Sequence, residues 1–579
     1  MFNTEVPHKT SADVLNSNSQ IASYFVAVDN AVSIGDTNKR YQPVNNTSYG
    51  SPPPIYPGTF TSIIISPTAD NTADIYNGYI NATMRVNVYL DKSISKYDPT
   101  DTITVSTTNG DGGEPVTKNV SINREFEDPY CVWVGFKDAM DAIEKYEILA
   151  NGISIYTQNN AIEESFITAC GMTEDIKKSN CYSHVRHKDI FNEKLHGSCG
   201  AYCDFGSILN DKGALTDYIA GKPYEINIPL KIDLRRFLPL SNIKYLPAFA
   251  GKIELRVCFS TTALVCTPVN PLSKAKFSNT VSKFAIDDVT NEFVPCGLPI
   301  HMITNYYAPT YVSPTEDADP KALAVSKLGT LRAGDVTVTA RLDCTYRCES
   351  VINCFGIASD VYDELVQHYS TTPLTFPTQT LSFAPFANNL KGNPTGVTSI
   401  TLTPRFVDSF FLLFPQKQCY RTVYKNPRLN SLQLQCGGYG SIPALAHGSY
   451  QSDSSQTIEE LQNALNLNGD LVGLNRDVIR SLVSEETQFT TGLESDNATD
   501  FLLGFATETD NTFQQGQTSN TPITYTLAYS QSASDPYCKN VEVSPIIGIL
   551  TDSTFSIQIR PDGSPPIVEL GAYDITSPM

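Results

Sequence analysis

Positive charge is scarce in this chain. Lys and Arg number 41 against 61 Asp and Glu, for a formal charge of −20, and no Lys/Arg run is longer than two residues, as at Lys39-Arg40. A direct DNA or RNA binder normally presents a basic patch, so the composition argues against nucleic-acid binding and against sequence-specific recognition in particular. Long apolar runs are lacking too. No stretch of about 18 apolar residues is present to span a bilayer, and the N-terminus, MFNTEVPHKTSADVLNSNSQ, lacks the basic region followed by an apolar core that marks a secretory signal. These absences imply a soluble, non-secreted protein made in a reducing compartment. Its 14 cysteines are therefore expected to be mostly buried thiols. On the same expectation, the sequons at Asn46, Asn81, Asn119 and Asn497 carry no glycans.

Catalytic templates are missing as well. The chain contains no G-x-S-x-G elbow, no G-x-x-x-x-G-K-[ST] phosphate loop, no H-E-x-x-H helix and no G-x-G-x-x-G following a strand. The acidic stretches at 70–77 (DNTADIYN) and 495–500 (SDNATD) could hold calcium on a loop, but Asp/Asn-rich turns are usually only turns. A carboxylate pair of the glycosidase type is not readable from sequence, because its separation of about 5–9 Å is a three-dimensional property.

One segment does gather ligand-type residues. SNCYSHVRHKDIFNEKLHGSCGAYCDF (179–205) places Cys181, His184, His187, His196, Cys199 and Cys203 within 23 positions as C-x2-H-x2-H-x8-H-x2-C-x3-C. Nitrogen and sulfur suit zinc, yet the spacing is not that of a common finger and the surrounding domain is too large to need a metal to fold. As a nucleophile, Cys199 beside His196 does not match the papain-type order around the reactive cysteine. The bland reading is preferred: Cys199 and Cys203 as small buried groups near a Gly-rich turn, with His184, Arg186 and His187 on a polar loop or a subunit contact. No catalytic, cofactor or metal residue is assigned, and the chain is not expected to be an enzyme or to carry a cofactor.

What the sequence has in quantity is β-forming material. There are 30 Tyr, 27 Phe, 36 Pro and 34 Gly, with only 18% charged residues, a mixture suited to half-buried pleated surfaces joined by many turns. Period-2 alternation runs from end to end. In INATMRVNVYL, Ile80, Ala82, Met84, Val86, Val88 and Leu90 share one face. YEINIPLKIDL aligns Ile226, Ile228, Leu230, Ile232 and Leu234, and GKIELRVCF sets Ile253, Leu255, Val257 and Phe259 against Lys252, Glu254 and Arg256. Later, DVTVTARLDC, ITYTLAY and TFSIQIR repeat the pattern. Sheets with one wet face are expected, except at DSFFLLFP from Asp408, whose continuous apolar run suits a strand covered on both sides. YEILANGISIY reads as a hairpin with Asn151-Gly152 in a type I′ turn.

Helices are expected to be few and short: KDAMDAIEKY (137–146), SDVYDELVQH (359–368), TIEELQNAL (457–465) with Thr457 and Glu460 at capping-box spacing, and NRDVIRSLV (475–483) with Asn475 as N-cap. The least patterned connection is 266–295. The division expected is an N-terminal arm (1–20), a first β domain (21–265), a connection (266–295) and a second β domain (296–579) with a helical loop insertion near 440–500.

Two stretches of the first half, VWVGFKDAMDAIEKYEILANGISIYTQNNAIEESF (132–166) and YEINIPLKIDLRRFLPLSNIKYLPAFAGKIELRV (224–257), resemble the first jelly roll of double jelly-roll major capsid proteins. The likeness is to the type found in Polinton-like viruses and virophages, within the adenovirus-hexon lineage. Toward the C-terminus, 501–529 and 553–575 resemble the closing strands of a second roll. The resemblance lies in segment style and order over most of the chain. It implies an all-β fold of two tandem jelly rolls, each an eight-stranded antiparallel β-sandwich, with short helices in loops. It further implies homotrimeric pseudo-hexagonal capsomers tiling an icosahedral virion shell around double-stranded DNA, with neighbouring capsomers, penton and minor capsid proteins as partners and 440–500 on the outer surface. The alternatives left open are a multi-domain β-sandwich binding protein, adhesin or carbohydrate-binding, and a glycan-processing β enzyme.

Overall fold

The computed structural model of the chain describes residues 24, 28, 37–41, 54–67, 71–90, 102–107, 116–121, 131–136, 138–170, 200–204, 222–260, 265–269, 286–287, 292–293, 298–299, 304–307, 337–386, 395–402, 407–415, 424, 429–436, 441–445, 461, 464–465, 502–506, 523–531 and 545–572. Among these the protein is all-β, with antiparallel sheets and two α-helices. No helix among the described residues is long and apolar enough to cross a membrane.

The first sandwich uses seven principal strands: β1 (Phe60–Ile65), β2 (Asn71–Leu90), β3 (Ile143–Ala150), β4 (Ile153–Gln158), β5 (Tyr224–Asp233), β6 (Ile253–Phe259) and β7 (Thr337–Gly356). One sheet runs β1-β6-β3-β4, and the other is built on β7-β2-β5, with Thr37–Tyr41 on the outer side of β7. The expected alternation decides their facing. Ile80, Ala82, Met84, Val86 and Val88 of β2 and Ile228, Leu230 and Ile232 of β5 are all buried, and they share one core cluster with Ile63, Ile148, Leu255, Val257 and Phe259 of the opposite sheet. Phe259 of β6 stacks on Tyr346 of β7 at 4.3 Å between ring centroids, which ties the two layers together.

The second sandwich follows in chain order: β8 (Leu374–Pro385), β9 (Thr395–Leu402), β10 (Val407–Leu413), β11 (Leu429–Cys436), β12 (Ser441–Leu445), β13 (Leu502–Ala506), β14 (Ile523–Gln531) and β15 (Ile546–Gln558), with β16 (Ile567–Ala572) added beside β15. Its sheets run β8-β15-β10-β13 and β9-β14-β11-β12. Counted within the eight, the orders are 1-8-3-6 and 2-7-4-5. This is the wrap in which the first strand closes on the last and the second on the next to last, the defining path of a jelly roll. Phe410, Leu412, Leu503, Phe505, Ile547 and Ile549 from one sheet meet Leu434, Tyr525, Leu527 and Tyr529 from the other in a second core.

Every residue of β10 is buried, as its continuous apolar run predicts. Phe410 and Leu412 face the inside of the sandwich. Phe411 and Leu413 face outward, into a third cluster shared with Ile167, Leu238 and Leu461. The Asn151-Gly152 turn also forms as predicted, with φ of 51° and 87°.

Four sequence expectations need correction or refinement. Residues 137–146 do not form a helix. Asp138 caps one turn of 3-10 helix over Ala139–Ala142, and Ile143 begins β3; pairing with β6 along one side and β4 along the other outweighs a helical preference only one turn long. In DNTADIYN the residues from Asn71 onward belong to β2, but pairing with β7 jumps from Asp74 to Tyr79, and Asp74 accepts turn-type hydrogen bonds from the Asn77 backbone (3.1 Å) and side chain (2.7 Å) at that irregularity. The polar face of β6 is wet in part: the Lys252 and Arg256 side chains are 44% and 40% exposed, whereas Glu254, paired with both, is 8% exposed and Cys258 is fully buried. Finally, β7 lies beyond the expected boundary at 266–295 but pairs with β2 from Ala340↔Leu90 to Gly356↔Asn71. The first sandwich therefore recruits a strand from far along the chain, and the strands of the second begin at Leu374. At the start of that connection, Val265–Val269 pairs with Cys131–Gly135.

Of the helices, 359–368 is found, extended to Ser359–Thr371. In 457–465 only Leu461, Ala464 and Leu465 are described; the Leu465 N–H donates to the Leu461 carbonyl at 3.0 Å, a helical turn. The helix expected at 475–483 and the arm at 1–20 lie outside the described residues.

Candidate functional site: a buried polar seam between the sandwiches

Helix α1 (Ala161–Cys170) was not anticipated from the sequence. Its signal was present: Asn160 followed three residues later by Glu163 has helix-start spacing, and Glu163 and Glu164 place negative charge in the first turn, where the helix dipole favours it. The helix follows β4 directly and carries Glu164 into the space between the sandwiches.

Glu164 is fully buried. One of its oxygens, Oε1, accepts from the Tyr146 hydroxyl of β3 at 2.6 Å and from the Leu238 N–H at 3.4 Å. The other, Oε2, accepts from Gln158 Nε2 of β4 at 2.6 Å. Burial raises the carboxyl to about 7, an effect only partly countered by these donors and by Arg236. Burial, reinforced by the neighbouring Glu164 charge, also holds the Tyr146 and Tyr156 hydroxyls well above their ordinary range.

Behind this carboxyl stands Arg236, 2% exposed, on the 3-10 turn that follows β5. Its Nη1 pairs with Asp138 at 3.2 Å, and its Nη2 donates to the Ser165 carbonyl and hydroxyl, each at 3.2 Å. Arg236 thus joins α1 to the turn preceding β3.

The second sandwich reaches this cluster through backbone carbonyls and the Thr378 hydroxyl. Leu381 O of β8 accepts from Gln158 Nε2 at 2.8 Å and from the Tyr156 hydroxyl at 3.3 Å. Thr378 Oγ1 donates to Leu238 O at 2.9 Å, Asn242 Nδ2 to Pro377 O at 3.1 Å, and Asn151 Nδ2, at the hairpin tip, to Pro566 O at 3.0 Å. Apolar contact surrounds these bonds. Ile167, Cys170 and Leu238 pack with Leu381, Phe411, Leu413 and Leu550, and Phe166 stacks on Tyr424 at 4.2 Å. Leu461, Ala464 and Leu465, from the stretch expected on the outer surface, are fully buried in the same layer.

Chemically this is a clamp. Protein donors occupy both Glu164 oxygens and the side chain has no exposure, so the group that most resembles a perturbed general acid meets no substrate. Its accessible chemistry is the gain or loss of a proton.

Of the six Cys/His residues singled out in the sequence, Cys203 lies in the strand Gly200–Asp204, opposite Val132. The other five, Cys181, His184, His187, His196 and Cys199, lie outside the described residues, as does the acidic stretch 495–500. Cys258 and Cys348 are buried thiols, and burial pushes Cys348 up to about 12.

No protein-family model matches the chain, and no curated protein does. Among solved structures it aligns along most of its length with the mavirus major capsid protein, at 10% identity and a TM-score of 0.47, covering 94% of this chain and 92% of that one. A structure of the Sputnik virophage aligns at 10% identity and a TM-score of 0.47, covering 95% and 91%. The Faustovirus major capsid protein aligns at 9% identity and a TM-score of 0.36, covering 90% of each chain. These superpositions are loose; the jelly-roll path of the second sandwich stands on this chain's own strand pairing.

Proposed function

We propose that the chain is a major capsid protein, a building block whose work is assembly. Three copies join into a pseudo-hexagonal capsomer, and capsomers tile an icosahedral virion shell enclosing double-stranded DNA. The observation that carries this reading is the 1-8-3-6/2-7-4-5 wrap of the second sandwich, set beside another sandwich of nested strands and joined to it through a buried seam. A shell subunit must present a fixed outline to its neighbours. Two sandwiches sharing buried hydrogen bonds and an apolar layer form such a body, and the jelly-roll wrap limits the open strand edges that would let copies stack at random. The segments at 132–166 and 224–257, which carry the sequence resemblance, are those that build β3, β4, α1, β5 and β6 on the first side of the seam.

Neighbouring capsomers, penton and minor capsid proteins are the proposed partners, and the virion is the proposed location. The net charge of −20 gives no general attraction for the packaged genome. On this reading no residue is catalytic and no cofactor is required. The test is the mass of the purified protein by light scattering together with negative-stain images. Particles of three times 63.5 kDa with hexagonal outlines are expected; a stable monomer at high protein concentration overturns the proposal.

A further inference from the structure

We propose that Glu164 is a proton-operated latch on the seam between the sandwiches, gripping the second sandwich more firmly when its carboxyl is neutral than when it is ionised. The geometry rests on Gln158. Its Oε1 accepts the Asn160 N–H at 3.0 Å, fixing the amide at the start of α1, and its Nε2 donates both to Glu164 at 2.6 Å and to Leu381 O of β8 at 2.8 Å. One amide therefore connects the buried carboxyl to the backbone of the other sandwich.

The groups facing Glu164 come from each element packed around it: Tyr146 from β3, Tyr156 and Gln158 from β4, and Arg236, itself paired with Asp138, from the turn after β5. Among the described residues, the second sandwich's contact with this group is a carbonyl, Leu381 O. Arg236 is the cation of the group and is already paired with Asp138, so burial of the Glu164 carboxylate is only partly compensated. A neutral Glu164 keeps Oε2 as an acceptor for Gln158 and can give its own proton to the Tyr146 oxygen, so the bridge to Leu381 survives without a buried charge.

The direction of the pH effect follows. The folded carboxyl titrates near 7 and the free side chain near 4.5. Between these values the buried Glu164 holds a proton that a water-exposed Glu164 has lost, so any opening of the seam that admits water to the carboxyl is coupled to proton release. The latch contributes fully below pH 4.5 and is lost as pH rises through 7. Mild acid tightens the seam, and mild alkali loosens it.

Hydrogen exchange on the full-length protein tests this, followed at the amides of β8 and α1 and, as a control, at the amides of β14, each corrected for intrinsic rate. In the wild type, protection at β8 and α1 should fall on the order of 10²-fold between pH 5 and 8, while β14 changes little. Glu164→Gln, which keeps a neutral acceptor in place, should abolish that fall. Equal pH slopes in wild type and Glu164→Gln overturn the proposal. Should Glu164→Gln fail to fold, the wild type decides alone: a neutral carboxylic-acid infrared band that disappears near pH 7 together with seam protection supports the latch, and seam protection independent of pH between 5 and 8 overturns it.

Discussion

Phe410 and Phe411 are adjacent in β10 and point to opposite faces of its sheet, so truncating each tests which core holds what. Phe410 lies 5.3 Å from the Tyr525 ring inside the second sandwich, whereas Phe411 is fully buried among Ile167, Leu238 and Leu461 on the seam side. Phe→Ala in a filled core costs roughly 3–5 kcal/mol, the lost transfer energy plus the cavity left behind. For a unit of about 200 residues, that corresponds to a fall in melting temperature of about 6–20 °C. Both variants should therefore melt early in a calorimetric or circular-dichroism scan, but they should differ in where the structure opens. In Phe410→Ala, the amides of β14 should lose exchange protection, because the face-to-face packing of the two sheets is damaged. In Phe411→Ala, β14 should remain protected while α1 and β8 exchange faster, because the loss is between sandwiches. A Phe411→Ala cost below about 1 kcal/mol would refute the view that the outer face of this sheet is closed by a well-packed layer.

Other outcomes follow from the same packing. Arg236→Met should cost about 3–5 kcal/mol in urea unfolding, because Asp138 then loses its buried cation, whereas Asp138→Leu combined with Arg236→Met should cost less than the sum of the single changes. Gly504→Val should destabilise by roughly 1–3 kcal/mol and increase proteolysis near 461–465, since a Cβ at Gly504 would stand 2.8 Å from Leu461 Cδ1 and 2.9 Å from Ala464 Cβ; unchanged cleavage would show that this helical turn does not rest on β13.

Much of the strand layout was legible because alternation is a local property. A strand's facing depends only on which residues share parity, so Ile80 to Val88 and Ile226 to Ile232 could be assigned to the core without knowing their partners. The Asn151-Gly152 turn was equally readable, since few residue pairs accept positive φ in succession. The seam was not legible. Gln158, Glu164 and Arg236 look like ordinary polar residues of a strand end, a short helix and a basic pair. Only their burial at the seam, where Gln158 joins Glu164 to Leu381 and Arg236 holds α1 to Asp138, gives them a common role.

The sequence alone determined the class of the protein: antiparallel β, rich in turns, acidic, with strand faces marked residue by residue and one strand, β10, marked for burial on both sides. Tertiary structure decided which strand pairs with which. Alternation says which face of β7 is apolar but not that its neighbour is β2, some 250 residues earlier, and local helical preference suggested a helix at 137–146 where mid-sheet pairing starts a strand at Ile143. The same holds for the one titratable group with a special role. A glutamate acquires a carboxyl that titrates near 7 only when the folded chain buries it and removes the water that would otherwise stabilise its charge.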